Sequence, residues 1–177
     1  MKKTILIYGV IAGVIVAALM LISMNYFSYC EGNVDYDTSM LIGYASMLIA
    51  FSLIFTGIRN YRDKYNGGVI NFGNAFKTGF LIALIASTFY VVTWLIYSHF
   101  FAPDFMEKYA AHSIEQLKAS GAGQAELDKQ AKEMEGMVKM LKNPFFHVLM
   151  TYMEILPVGI IVTLISSLIL KKKTANS

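Results

Sequence analysis

Glu154 is the first residue that demands a chemical reason. It is the only acidic residue in the stretch from Phe145 to Leu170, which holds no Lys or Arg. A charged carboxylate at the centre of an apolar span costs about 2.5–3.5 kcal/mol on insertion scales, so such a group faces other helices or water. His147 stands seven residues earlier, two helical turns away on the same face. Pro157 stands three residues later and removes a backbone donor beside the acid. Two readings of Glu154, His147 and Pro157 stay open. One is a proton- or ion-responsive site; the other is a packing site, where the acid bonds to a Tyr, Ser or Asn of a neighbouring helix.

Other reactive residue types are sparse. His99, His112 and His147 raise the possibility of zinc, but none of the spacings H-x-x-x-H or H-E-x-x-H occurs. Cys30 is the single cysteine, which excludes an intramolecular disulfide and a thiolate cage. The sequence lacks G-x-S-x-G, GxGxxG and the phosphate-loop spacing G-x-x-x-x-G-K-[ST]. No catalytic residue, cofactor site or metal site is therefore assigned, and the expectation is a protein that is not an enzyme.

The elements that hold these residues are set by composition. Of 177 residues 56% are apolar and only 15% charged, against about 25% charged in a soluble domain. The mean hydropathy is +0.52. This excludes a disordered chain, a disulfide scaffold and a nucleic-acid-binding basic domain; the net charge is only +3. It points to the lipid bilayer as the surroundings. About 20 apolar residues cross a bilayer as a helix. Four stretches meet that length, at about 5–24, 40–58, 80–101 and 145–170, so the whole chain, 1–177, reads as one all-α membrane domain of four transmembrane helices. Lys2 and Lys3 precede the first stretch as in a signal peptide. That stretch is longer than a signal core, however, and no A-x-A site follows, so it is expected to be retained.

Basic residues orient the helices, because short cytoplasmic connections are enriched in Lys and Arg. Nine of the fifteen fall in three places: Lys2 and Lys3; Arg59, Arg62, Lys64 and Lys77; and Lys171, Lys172 and Lys173. The first connection instead carries Glu31, Asp35 and Asp37 and no basic residue. Both termini and the second connection are expected on the cytoplasmic side. There Arg59, Arg62, Lys64 and Lys77 read as contacts to anionic lipid headgroups. Arg59 and Asp63 are four apart and would pair on a continued helix. Asn66-Gly67-Gly68 marks a turn, and Asn71 or Asn74 could cap the next helix.

The third connection, about 102–144, reads as an extracytoplasmic helical hairpin. Pro103-Asp104 opens one helix and Ser120-Gly121-Ala122-Gly123 ends it. A second helix carries Leu127, Ala131, Met134, Val138 and Leu141 on one face and stops before Asn143-Pro144. This hairpin is either a lid over the helices or the face that meets a membrane or extracytoplasmic protein partner. Gly9, Gly13 and Ala17, and Gly159 with Thr163 and Ser167, are small-residue faces for close helix packing, within the chain or in a homo-oligomer.

Several segments together carry a resemblance. They are Gly43-Tyr44-Ala45-Ser46-Met47, Ile58-Arg59-Asn60-Tyr61-Arg62-Asp63, the Gly67-Gly68 turn, Phe72, and Ala75-Phe76-Lys77. Pro103-Asp104-Phe105 and Glu154-Ile155-Leu156-Pro157-Val158-Gly159 belong with them. They resemble the bacterial membrane family catalogued as domain of unknown function 4199, over nearly the whole chain. The resemblance implies a four-helix protein of the bacterial cytoplasmic membrane and carries over no activity, ligand or catalytic residue. The functional expectation is an accessory or interaction protein, with a small transporter or channel subunit built on Glu154 as the alternative.

Overall fold

The computed structural model describes residues 1–29 and 36–172, with the side chains of 26–29 and 36–40 left aside. Cys30, Glu31, Asp35 and Lys173 fall outside the described residues. Among those described there are six helices and no strand: α1 (Lys2–Tyr29), α2 (Tyr36–Tyr65), α3 (Phe72–Phe100), α4 (Phe105–Ala119), α5 (Gln124–Leu141) and α6 (Pro144–Leu170). Among the described residues four segments are long and apolar enough to cross a membrane: Lys2–Asn25, Leu41–Tyr65, Phe72–Phe100 and Pro144–Leu170.

These helices overrun the apolar stretches that announce them. The second continues to Tyr65, and the third begins at Phe72 rather than near 80. The cause lies in local signals that hydropathy does not register. Asn71 accepts the Asn74 backbone N–H at 2.8 Å and so caps α3. Gly67 and Gly68, at φ +62° and +79°, make the turn that separates α2 from α3. Asn66 steadies that turn through a 2.6 Å bond to the Val69 carbonyl. Arg59 pairs with Asp63 at 3.6 Å, as the i, i+4 spacing predicts.

The chain divides into two compact units. The first comprises Met1–Val91 and Tyr152–Ser177. Its core is assembled on small residues. A Cβ on Gly9 would lie 2.8 Å from Ile85 Cβ, and one on Gly13 would lie 2.6 Å from Phe89 Cγ. Thus Gly9 and Gly13 are the surface on which α1 meets α3; Ala17 beyond them is half-buried. Gly57 of α2 similarly faces Ile82 and Tyr8. Gly79 of α3 faces Thr163, Ile58 and Ile54, and Gly159 of α6 faces Ala83 and Phe51. Antiparallel α3 and α6 therefore run in close contact, as membrane helices do where small side chains let backbones approach. Beyond α6, Ile70 and Lys172 exchange two backbone bonds of 3.0 and 2.9 Å, so the α2–α3 turn is clasped to the residues after the last helix.

The second unit is Val92–Thr151. Here α4 packs on α5, and Lys142 reaches Glu107 at 3.7 Å. The break between them is at Gly121, with φ +83°. No residue of either helix is fully buried. Leu127, Met134, Val138 and Leu141 are half-buried, whereas Ala131 on the same face is exposed. Exposed pairs such as Asp104–Lys108 (2.8 Å) and Glu135–Lys139 (2.6 Å) lie along the outer faces. The bond from each lysine holds the Asp104 and Glu135 carboxyls below their usual range.

Candidate functional site

Glu154 lies on the exposed side of α6, next to Met153, which is 66% exposed. Sequence reasoning expects an intramembrane acid to turn inward, so this outward placement is a finding. Its partner is Tyr90 of α3, whose hydroxyl donates to Glu154 Oε1 at 3.5 Å. Tyr90 itself is buried. A second α3–α6 contact, Thr88 Oγ1 with Tyr152 Oη at 2.8 Å, lies close by in sequence. Pro157 sits within an unbroken helix, where it has no N–H to offer the Met153 carbonyl. The Glu154 carboxyl thus interrupts an exposed face made of Met150, Met153, Ile161, Leu164 and Leu168.

His147 does not join this spot. Seven residues of helix separate the two by about 10 Å, and each has its own aromatic partner. The Trp94 indole N–H donates to His147 Nε2 at 3.0 Å. An accepting Nε2 places the proton of this imidazole on Nδ1, so the pair requires the neutral ring. Trp94 also meets Phe105 edge-on, with centroids 5.2 Å apart. Beside this pair is a cavity of about 520 Å³, walled by Leu95, Phe105, Met106, Val138 and Leu141, with Ser98, His99, Glu107 and Lys142 as its polar members.

A pH test follows from the tautomer. Protonating His147 puts a second N–H against the indole N–H and breaks the bond. Trp94 is the only tryptophan, so its emission reports this site alone. Taking the protein from about pH 8 to about pH 5, the histidine range, should change Trp94 emission reversibly. The change should be largely absent in His147→Gln. Equal responses in both would mean that another group governs the indole.

The basic cluster divides in two. Arg59, Lys64 and Lys77 are exposed, as headgroup contacts would be. Arg62 is turned in: its side chain is 19% exposed, bonds Asp63 at 2.6 and 3.2 Å and donates to the Leu170 carbonyl at 3.3 Å. The reason is that the last carbonyls of a helix lack intrahelical donors, and a guanidinium fork supplies one. Arg62 therefore ties α2 to the end of α6.

Among the described residues no three His, Cys, Asp or Glu side chains come together to hold a metal. Sequence reasoning missed Tyr90 and Trp94. A lone tryptophan near the end of an apolar run is a recognisable interface anchor, but nothing local pairs it with a histidine 53 positions on. It also missed Ser87, whose buried hydroxyl has no hydrogen-bond partner; Thr163 and Ser167, read from the sequence as part of a packing face, are buried with unpartnered hydroxyls too.

Compared with known proteins, residues 7–172 match the model of a family described as a protein of unknown function, DUF4199. No curated protein and no solved structure matches the chain.

Proposed function

We propose, for a chain that belongs to the DUF4199 family of proteins of unknown function, a non-enzymatic role as an interaction protein of the bacterial cytoplasmic membrane. In this reading α1, α2, α3 and α6 form a four-helix transmembrane bundle with both termini in the cytoplasm. The α4–α5 pair is then the extracytoplasmic hairpin.

The observation that carries the interaction role is the outward Glu154. A carboxyl on an otherwise apolar face is costly against lipid tails, and a partner helix with a hydroxyl, amide or basic group relieves that cost. The α4–α5 pair supports the same role from outside, since its apolar faces are only half-covered. A photo-crosslinker at Met153 in native membranes should capture a discrete partner, either another protein or a second copy. Pull-downs with and without residues 105–141 then tell which surface holds it. Diffuse crosslinking to lipid alone would remove the role.

The clasp between Ile70 and Lys172 supports the threading, because it requires the second connection and the tail to share one side of the bilayer. Cysteine labelling of intact cells should reach positions 34 and 122 and miss positions 66 and 175. External labelling at Asn66 would overturn this threading.

The alternative is a transporter or channel subunit in which Glu154 takes up and releases a proton. One specific observation favours considering it: Glu154 is held by a single long bond, which leaves the carboxyl free to change state.

A further inference from the structure

We propose that the cavity beside Trp94 and His147 is a binding site for one phospholipid, with an acyl chain against Trp94, Val138 and Leu141 and the phosphate at Lys142. At about 520 Å³ it lies within the size range of small-molecule sites. Its walls are mainly apolar side chains, with Ser98, His99, Glu107 and Lys142 as the polar members, so an occupant with a long apolar part and a polar end fits it.

Position and charge select which apolar occupant. The walls contributed by Trp94–His99 and Pro144–His147 are the ends of two helices apolar enough to span a membrane. Tryptophan at a helix end marks the level of the headgroups. At that level the surrounding molecules are lipids, present at high local concentration. Lys142 supplies the headgroup contact: its side chain is 71% exposed, and its 3.7 Å pairing with Glu107 is too long for a strong bond. An ammonium so loosely paired can turn to a phosphate oxygen. The Trp94–His147 bond holds the indole in place as one wall. This inference rests on the chain spanning a membrane and is independent of whether Glu154 meets a partner.

Trp94 also makes the site measurable, because bromine on a lipid chain quenches only tryptophans that it touches. Full-length protein in maltoside micelles is titrated with a phospholipid carrying brominated chains, and in parallel with brominated diacylglycerol, which lacks the phosphate. Wild type should show saturable quenching by the phospholipid, with about tenfold weaker half-saturation for diacylglycerol. Lys142→Gln should bring the phospholipid down by a similar factor, about what one charged hydrogen bond contributes. Val138→Phe, which fills the space, should abolish saturation. If that variant fails to fold by circular dichroism, the exposed Lys142→Gln carries the test alone. Quenching that rises linearly with lipid and is the same in all samples would overturn the site. Equal affinity for the two lipids, unaffected by Lys142→Gln, would overturn the phosphate assignment. Neither result bears on crosslinking at Met153, so the two readings fail separately.

Discussion

Gly9→Ile combined with Gly13→Ile should destabilise the protein by about 2–6 kcal/mol, taking about 1–3 kcal/mol for each overpacked position. The added side chains have nowhere to go. Even a Cβ alone would approach Ile85 Cβ to 2.8 Å and Phe89 Cγ to 2.6 Å, and both contacts are with the inner atoms of the side chains. A flexible tip could swing aside; these atoms move only with α3 itself. Against a typical total of about 5–15 kcal/mol, the double variant should unfold at clearly lower temperature in detergent or fail to accumulate. Gly43→Ile is the matched control, because a Cβ there meets nothing within 4 Å. Its melting temperature should stay near that of wild type. An unchanged melting temperature in the double variant would mean that α1 is free to part from α3.

The second large effect concerns Glu154 and separates the interaction and transport readings. Because the acid lies on an exposed face and its bond to Tyr90 is long, Glu154→Leu should leave folding nearly intact. Losing the Tyr90 partner costs at most about 1–3 kcal/mol. Removing a carboxyl from an apolar face returns a similar amount, on the scale that sets about 2.5–3.5 kcal/mol for a charge at mid-bilayer. What Leu should abolish is the crosslink at Met153, whereas Glu154→Gln, which still hydrogen-bonds, should keep much of it. Proton or ion flux in proteoliposomes is measured on the same three proteins. Flux in wild type that disappears equally in Gln and Leu would establish transport and displace the interaction role.

How far the sequence could lead depended on the range of each signal. The four membrane-capable helices were legible because crossing hydrocarbon needs a fixed length of apolar chain. The Arg59–Asp63 pair, the glycine turn and the α3 cap were legible too, since each is written within a few residues. The small faces at Gly9 and Gly159 were visible as spacing, but their targets were not. A helix apolar all round carries no asymmetry to say which neighbour it meets. Hence Ile85 and Phe89 could not be named in advance. Tyr90–Glu154 and Trp94–His147 join residues 64 and 53 positions apart and leave no mark on either local segment. Arg62 looked like its basic neighbours for the same reason. Only the end of α6, more than a hundred positions away, distinguishes it.

The first unit is built from both ends of the chain, Met1–Val91 and Tyr152–Ser177, with the second unit intervening as one continuous stretch. A ribosome delivers these pieces in order, at about 5–20 residues per second, so the intervening stretch of about 60 residues occupies some 3–12 seconds. For most of that interval α3 has been synthesised and α6 has not. The close-approach surface around Gly79 and Ala83 waits for Thr163 and Gly159, and the Ile70 backbone waits for Lys172. The first unit therefore has three of its four helices synthesised, and its α3–α6 seam unfilled, before the last is made. During that stage an insertion factor or another nascent helix could occupy the groove before the chain's own last segment arrives to displace it.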